Sequence, residues 1–213
     1  MTEQRSHGEH AGANERLTTH KAMDATMQPS SQLFINEVMT NPVNAELLRR
    51  LPCLGLSECF LTAGCLFQAT WNRMSGHPAS WGVKDYDVFY FEANDLSWEA
   101  EDVVIRRART LLADLRVNVE VKNQARVHLW YQQRFNASYP QLTSSRDGID
   151  RFLISCTCVG IEVETGALYA PNGLREVFEG ILCMNQKNSQ PIHFRQKALD
   201  YQLRWPWLRI LDD

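Results

Sequence analysis

Apolar residues recur at two spacings from Phe34 onward, every three to four positions in some segments and every second position in others. The first spacing is typical of a helix with one buried face, and the second of a half-buried strand. The predicted helices cover 34–39, 44–51, 65–73, 98–112, 174–180 and 193–207, with further helical or irregular segments from 125 and from 145; the predicted strands cover 59–63, 85–91, 117–121 and 152–162, with a hairpin return over 167–170. This order predicts an α+β fold, a small mixed β-sheet with helices packed on one side and a helical lead-in.

The N-terminal segment departs from this pattern. Residues 1–31 contain no Val, Ile, Phe, Trp, Tyr or Cys, and Ser, Thr, Gln, Glu, His and Gly are common among them. Such a segment has too little apolar surface to form a core. We therefore expect a disordered N-terminal tail over 1–31 and a single domain over 32–213.

Composition indicates which partners and which cellular location to expect for this domain. The 22 Lys and Arg residues are nearly balanced by 25 Asp and Glu residues, which argues mildly against a long nucleic-acid partner. The longest mostly apolar stretch, 59–67, is too short to span a membrane, and the N-terminus lacks the apolar region of a signal peptide. The six cysteines are scattered, with no C-x-x-C pair, which favours reduced thiols. The expected location is the cytoplasm.

Two acids of one predicted strand are the first candidates for chemistry. Asp85 and Asp87 are two residues apart, so they project from the same face of a strand and are close enough to share a hard divalent cation. A pair of solvated acids at a strand edge is the simpler alternative. The apolar run 88–91 that follows favours a buried central strand, and therefore a functional role.

A third acid, Glu120, lies between Val119 and Val121 in another predicted strand. A carboxylate in an apolar run is costly to bury without a cation or a basic partner. The alternative is a half-exposed strand on which Glu120 pairs with Lys122 or Arg116.

A glycine at the junction of a predicted strand and helix completes the pattern. Gly64 lies within Thr62-Ala63-Gly64-Cys65, where a glycine lets the backbone approach a phosphate and the first helical N–H groups face an anion. Such junctions also occur for packing alone, so the order of the three elements carries more weight than the glycine itself.

In that order, the chain resembles the bacterial nucleotidyltransferase-like family of the polymerase-β nucleotidyltransferase superfamily. The resemblance covers about 34–210, and Cys65 stands where many superfamily members carry Gly or Ser. The blocks that carry it are Ala63-Gly64-Cys65-Leu66 with Trp71, Lys84-Asp85-Tyr86-Asp87-Val88-Phe89-Tyr90-Phe91, Val119-Glu120-Val121-Lys122-Asn123-Gln124-Ala125-Arg126-Val127-His128, Tyr169-Ala170-Pro171-Asn172-Gly173-Leu174, and Lys197 with Trp205-Pro206.

The resemblance implies transfer of a nucleoside monophosphate from an NTP to a hydroxyl by a two-metal mechanism with Mg²⁺, or Mn²⁺ in its place. It implies Asp85, Asp87 and Glu120 as catalytic residues and metal ligands. The implied nucleotide- or phosphate-binding residues are Gly64, Cys65, Lys84, Asn123, Gln124, Arg126 and Lys197. The acceptor, a small molecule or a protein, and the oligomeric state do not follow from it. A non-catalytic nucleotide-binding or interaction module that retains the fold is the alternative.

Overall fold

The computed structural model describes residues 30–136 and 138–211. Residues 1–29 lie outside this part, so the disordered tail stays a prediction. Ser30 and Ser31, counted with the tail above, instead cap and begin the first helix, and the Ser30 hydroxyl accepts a hydrogen bond from the Leu33 N–H at 3.1 Å. A serine at this position satisfies one of the free N–H groups of a helix start.

Helices and strands follow largely the order that the sequence predicts, including the lead-in helices and the strand, glycine, helix and acidic strand that come next. The helices are α1 (Ser31–Met39), α2 (Pro42–Arg50), α3 (Gly64–Met74), α4 (Trp98–Leu111), α5 (Val127–Phe135), α6 (Ser145–Ile149), α7 (Arg175–Glu179) and α8 (Pro191–Arg204). The strands are β1 (Phe60–Thr62), β2 (Tyr86–Tyr90), β3 (Val119–Asn123), β4 (Gly160–Glu162), β5 (Leu168–Tyr169), β6 (Ile181–Cys183) and β7 (Arg209–Leu211). None of the helices described is long and apolar enough to cross a membrane.

Five strands form one mixed sheet in the order β3-β2-β1-β4-β5. β1 is antiparallel to both of its neighbours, whereas β2 and β3 run parallel. The strand order places β3 at one edge of the sheet. The strands β6 and β7 pair separately, in parallel. The predicted α+β fold with a small mixed sheet is confirmed.

The two faces of the sheet have different surroundings. Leu61, Val88 and Val121 point to one face and join the main hydrophobic core with side chains of the helices. Alternation along β2 sends Asp87 and Phe89 to the opposite face, where Phe89 belongs to a smaller apolar cluster. The acidic positions therefore lie on the face away from the main core.

Two predicted elements are wrong in detail, and one strand pair was not predicted. Of the predicted strand 152–162 only β4 forms, because residues 155–157 make a turn of 3₁₀-helix in which the Thr157 hydroxyl donates to the Ile154 carbonyl at 2.7 Å. The last helix ends at Arg204 rather than at 207, since Pro206 cannot continue it. The β6–β7 pair is missed, because α8 separates its two strands along the chain.

Three hydrogen bonds of the Asn72 side chain hold the loop that leads into β2. The Asn72 amide donates to the carbonyls of Ala79 and Trp81 at 3.1 and 2.8 Å, and its oxygen accepts from the indole N–H of Trp205 at 2.9 Å. Trp205 is fully buried. The C-terminal segment thus fixes the approach of the chain to Asp85.

Candidate active site

Three predicted acids converge on one cavity. Asp87 on β2 lies directly opposite Glu120 on β3. Asp85 comes just before β2, two residues from Asp87, and so shares its face. All three line a cavity of about 450 Å³. The structure therefore brings together side chains that are up to 35 positions apart in sequence.

A lysine lies between two of these acids. The Lys122 Nζ is 2.6 Å from Glu120 Oε2 and 3.5 Å from Asp87 Oδ1. Lys122 shares the face of Glu120 because the two are separated by two positions on one strand. Of the two basic partners that the sequence left open for Glu120, the structure selects Lys122.

The charges of this group are coupled. Burial raises the pKa of Asp87 to about 6, with the Asp85 and Glu120 carboxylates adding to the rise and Lys122 opposing it. The hydrogen bond from Lys122 lowers the pKa of Glu120. Burial works against the charge of Lys122, but Asp87 and Glu120 outweigh it and raise the pKa of the ammonium group. The three groups form a network in which Asp87 is the carboxylate that is hardest to ionise.

The junction of β1 and α3 forms another wall of the cavity. Ala63 and Gly64 line it, and Ala63 adopts φ 63° and ψ −143°, a backbone region that is essentially reserved for glycine. A Cβ at Gly64 would lie 2.6 Å from the side-chain nitrogen of Gln68, another lining residue. Backbone is thus exposed to the cavity at the start of a helix, where N–H groups lack partners within the helix.

The Cys65 side chain is not among those that line the cavity. It is fully buried beneath the junction, and its thiol donates to the Thr62 carbonyl at 3.2 Å. Burial raises the pKa of this thiol well above its usual value. A buried, protonated thiol serves packing, so only the backbone of Cys65 remains a candidate for phosphate contact.

Basic side chains surround the acids. Lys84 precedes β2 and Lys197 extends from α8, and both of these predicted phosphate ligands line the cavity. The Lys197 residue is exposed overall, but protein atoms around its amine displace water there and lower the pKa of the amine. The Asp87 and Asp85 carboxylates oppose that shift. Arg151 and Arg204 also line the cavity, and neither was predicted as a site residue. Such cations are suited to neutralising phosphate charge.

Two further predicted ligands lie elsewhere. Asn123 ends β3, where its Oδ1 accepts from the Ala125 N–H and its Nδ2 donates to the Glu92 carbonyl at 2.8 Å. Arg126 forms a buried ion pair with Glu101. These internal bonds use the polar groups of both side chains, and neither residue lines the cavity, so the structure does not bring them to the other predicted ligands. Gln124, between them, does line it.

Aromatic rings form the far side of the cavity. The Tyr131 and Tyr139 rings lie 4.2 Å apart between centroids, and Trp130 and Phe152 line the wall beside them. Sequence reasoning missed this side because its residues come from α5 and from two separate loops. Their convergence depends on the tertiary fold, and no local spacing signals it.

The acids match the chemistry of a hard cation only in part. Asp85 and Asp87 supply adjacent carboxylate oxygens on one wall, the donors that Mg²⁺ prefers. Glu120 is held instead by Lys122. Within 30–136 and 138–211, no group of three or more His, Cys, Asp or Glu residues is arranged to hold a metal ion. Among the three acids, the Asp85 and Asp87 pair therefore has the donor type that a hard cation prefers.

Known proteins share both this fold and this sequence pattern. A solved NMR structure described as a CCA-adding enzyme head domain is similar to the chain with a TM-score of 0.68. The match covers 87% of this chain and 97% of that one at 24% sequence identity, which shows a common fold. No curated protein sequence matches the chain. Residues 49–210, most of the chain, match the sequence profile of a nucleotidyltransferase family. The chain therefore belongs to the nucleotidyltransferase family.

Proposed function

We propose that the protein transfers a nucleoside monophosphate from an NTP to the hydroxyl group of an acceptor, with the help of a divalent metal. The observation that carries this proposal is the convergence of Asp85, Asp87 and Glu120 on one cavity, beside an exposed helix start and several cations. Membership of a nucleotidyltransferase family supports the same chemistry.

Asp85 and Asp87 would hold the metal, which is Mg²⁺ or Mn²⁺ on the grounds of their hard oxygen donors. When bound, such an ion neutralises phosphate charge and makes the α-phosphorus more open to attack. We assign no metal contact to Glu120 in the described arrangement, because Lys122 already holds its carboxylate.

The triphosphate would bind at the junction of β1 and α3. The backbone N–H groups of Gly64 and Cys65, at the start of α3 beside the cavity, would bind the β- and γ-phosphates. Lys84, Lys197 and Gln124 add donors around the same space. These groups hold the phosphates so that the pyrophosphate can leave opposite the attacking oxygen.

Glu120 is suited to accept the proton of the acceptor hydroxyl. Its pKa is lowered by the hydrogen bond from Lys122, so the carboxylate is charged at neutral pH. Lys122 donates at 2.6 Å and orients the carboxylate. The acceptor oxygen then attacks the α-phosphorus, the bond to the β-phosphate oxygen breaks, and pyrophosphate carries away the negative charge.

The expected setting is the cytoplasm, with an NTP and an acceptor other than a long nucleic acid as the partners. Free thiols support this setting, since all six cysteines lie in the described part and none of them forms a disulfide.

Water can replace the acceptor in an assay that needs no knowledge of the natural substrate. Slow Mg²⁺-dependent conversion of NTP to NMP and pyrophosphate, lost in Asp87→Asn, is the expected result for at least one of the four common NTPs. Nucleotide binding without any NMP formation would favour the non-catalytic module instead. NMP formation that survives in Asp87→Asn would contradict the assignment of the acids.

A further inference from the structure

A second cavity adjoins the first along the open edge of β3. Its volume is about 630 Å³, and helices α4 and α5 contribute its walls together with that strand. Glu120, Lys122 and Trp130 line both cavities. Glu120, the residue proposed as proton acceptor, therefore lies where the two cavities meet.

The walls of the second cavity are largely apolar. Trp98 and Trp130 provide two indole rings, and Ile105, Val119 and Val121 provide aliphatic surface. Trp98 is 57% exposed, which is unusual for so large an apolar side chain. A volume of this size with aromatic walls and a few polar groups is typical of a site for a small molecule.

The polar groups of this cavity disfavour a positively charged guest. The guanidinium of Arg126 lies 5.7 Å from the Trp98 ring centroid, and that of Arg134 lies 6.0 Å from the Trp130 ring centroid. Both arginines line the cavity together with Lys122, and the two acids that line it already have basic partners, Arg126 for Glu101 and Lys122 for Glu120. Cations that already face the indole rings would repel an ammonium group placed between them.

We propose that the second cavity binds the acceptor, a small molecule with a planar apolar ring, a free hydroxyl and no positive charge. This inference rests on the proposed function and adds to it the chemical class of the acceptor. The ring lies against Trp98 and the aliphatic wall, while the hydroxyl points to Glu120 at the junction with the first cavity.

A protein strand is a weaker fit to the same edge. Strand addition needs free main-chain groups along β3, but the Asn123 N–H already donates to Glu101 Oε1 at 2.7 Å. Glu101 is buried and belongs to α4, which packs against this strand. The helix therefore closes one end of the edge, and a compact guest fits better than an extended chain.

Three probes test the proposed class by ligand-observed NMR titration. They are tyrosol, a neutral aromatic alcohol, tyramine, its cationic analogue, and sorbitol, which has hydroxyls but no ring. We expect tyrosol to bind, tyramine to bind at least about fivefold more weakly, and sorbitol not to bind. Trp98→Ala should weaken tyrosol binding by about fivefold or more, and Trp98→Phe should restore most of it.

The controls separate this inference from the function on which it rests. Leu203→Ala removes an exposed apolar side chain outside both cavities and should change no titration. Tyrosol binding that is absent, or that is equal in Trp98→Ala and wild type, overturns the acceptor cavity even where ATP with Mg²⁺ still binds. The acceptor cavity is also overturned if sorbitol or tyramine binds as tightly as tyrosol. If wild type binds tyrosol in a Trp98-dependent way but does not bind ATP with Mg²⁺, the result instead contradicts the proposed function.

Discussion

Asp87 and Glu120 are register partners on two neighbouring parallel strands, and their carboxylates share one ammonium group. Like charges on directly opposed residues repel each other. The Lys122 Nζ relieves this repulsion unequally, since it is 0.9 Å closer to Glu120 (2.6 Å) than to Asp87 (3.5 Å). Asp87 is left as the costlier charge, and this asymmetry has consequences for stability and for catalysis.

Asp87→Asn should stabilise the metal-free protein at neutral pH. The folded-state pKa of about 6 lies above the ordinary value of 3.8, so folding favours the protonated acid. Its stabilising contribution is present below pH 4 and is lost as the pH rises through about 6. The shift corresponds to a cost of up to about 3 kcal/mol at pH 7.5. Thermal unfolding with EDTA should therefore show a higher Tm for Asp87→Asn at pH 7.5 and little difference at pH 4.

Asp102→Asn is the matched control for this experiment. Asp102 lies on the surface of α4 and pairs with Arg106 one turn away. Such pairs contribute between about 0 and 1 kcal/mol, so the variant should follow wild type at both pH values. Equal destabilisation of Asp87→Asn at both pH values would show that the charge of Asp87 carries no cost.

Ala63→Gly should stabilise the fold. Ala63 is the residue before α3 and holds a φ of 63° and a ψ of −143°, where a Cβ is strained by about 1–3 kcal/mol. Glycine removes the strain and loses about 0.5–1 kcal/mol through the greater freedom of its unfolded chain. Urea unfolding should give a net gain of about 1 kcal/mol.

Ala45→Gly provides the contrast, because Ala45 lies within α2. Glycine in a helix interior should lower the free energy of unfolding by about 1 kcal/mol. A loss of stability in both variants would mean that the backbone at position 63 is not strained.

Arg126→Met should destabilise the protein rather than weaken nucleotide binding. Arg126 and Glu101 form a buried ion pair, and Arg126 Nε also donates to the Leu96 carbonyl at 2.9 Å. Removal of one partner leaves a buried charge unpaired and costs about 3–5 kcal/mol. Chemical unfolding measures this loss. A stable variant with weaker ATP binding would return Arg126 to the phosphate site that the sequence suggested.

Glu120→Gln should lower turnover far more than nucleotide affinity. The amide keeps the shape of the side chain but cannot accept the proton, so NMP formation should fall by about 100-fold or more. ATP affinity, measured by calorimetry, should stay within about threefold because Glu120 is proposed to hold neither the metal nor the phosphates. Glu99→Gln, an exposed acid in the first turn of α4, should leave both quantities unchanged. Failure of Glu120→Gln to fold would show a structural ion pair instead.

Local patterns were sufficient for the acidic part of the site. Alternation along β2 placed Asp85 and Asp87 on one face, and the glycine before a helical run marked the junction at Gly64. Both signals act over a few residues, where spacing alone fixes which side chains point together.

Contacts between segments that are far apart in the chain cannot be predicted from such local spacing. The family resemblance implies Arg126 as a phosphate ligand, but its ion-pair partner Glu101 lies 25 positions earlier, on α4. The aromatic side of the cavity depends on Tyr139 and Phe152, which the fold brings to α5 from loops. Such contacts are set by register and packing, which short sequence windows do not contain.

A nucleotide site at Asp85 and Asp87 can be tested by isothermal titration calorimetry of ATP in the presence of Mg²⁺. Wild type and the Asp85→Asn/Asp87→Asn double variant are titrated under the same conditions. We expect a Kd between about 1 µM and 1 mM for wild type, dependent on Mg²⁺, and at least a tenfold loss of affinity in the variant. The other three NTPs should be titrated if ATP does not bind. Binding that is equal in the two proteins, or the absence of binding by all four NTPs, would contradict a nucleotide site at these aspartates.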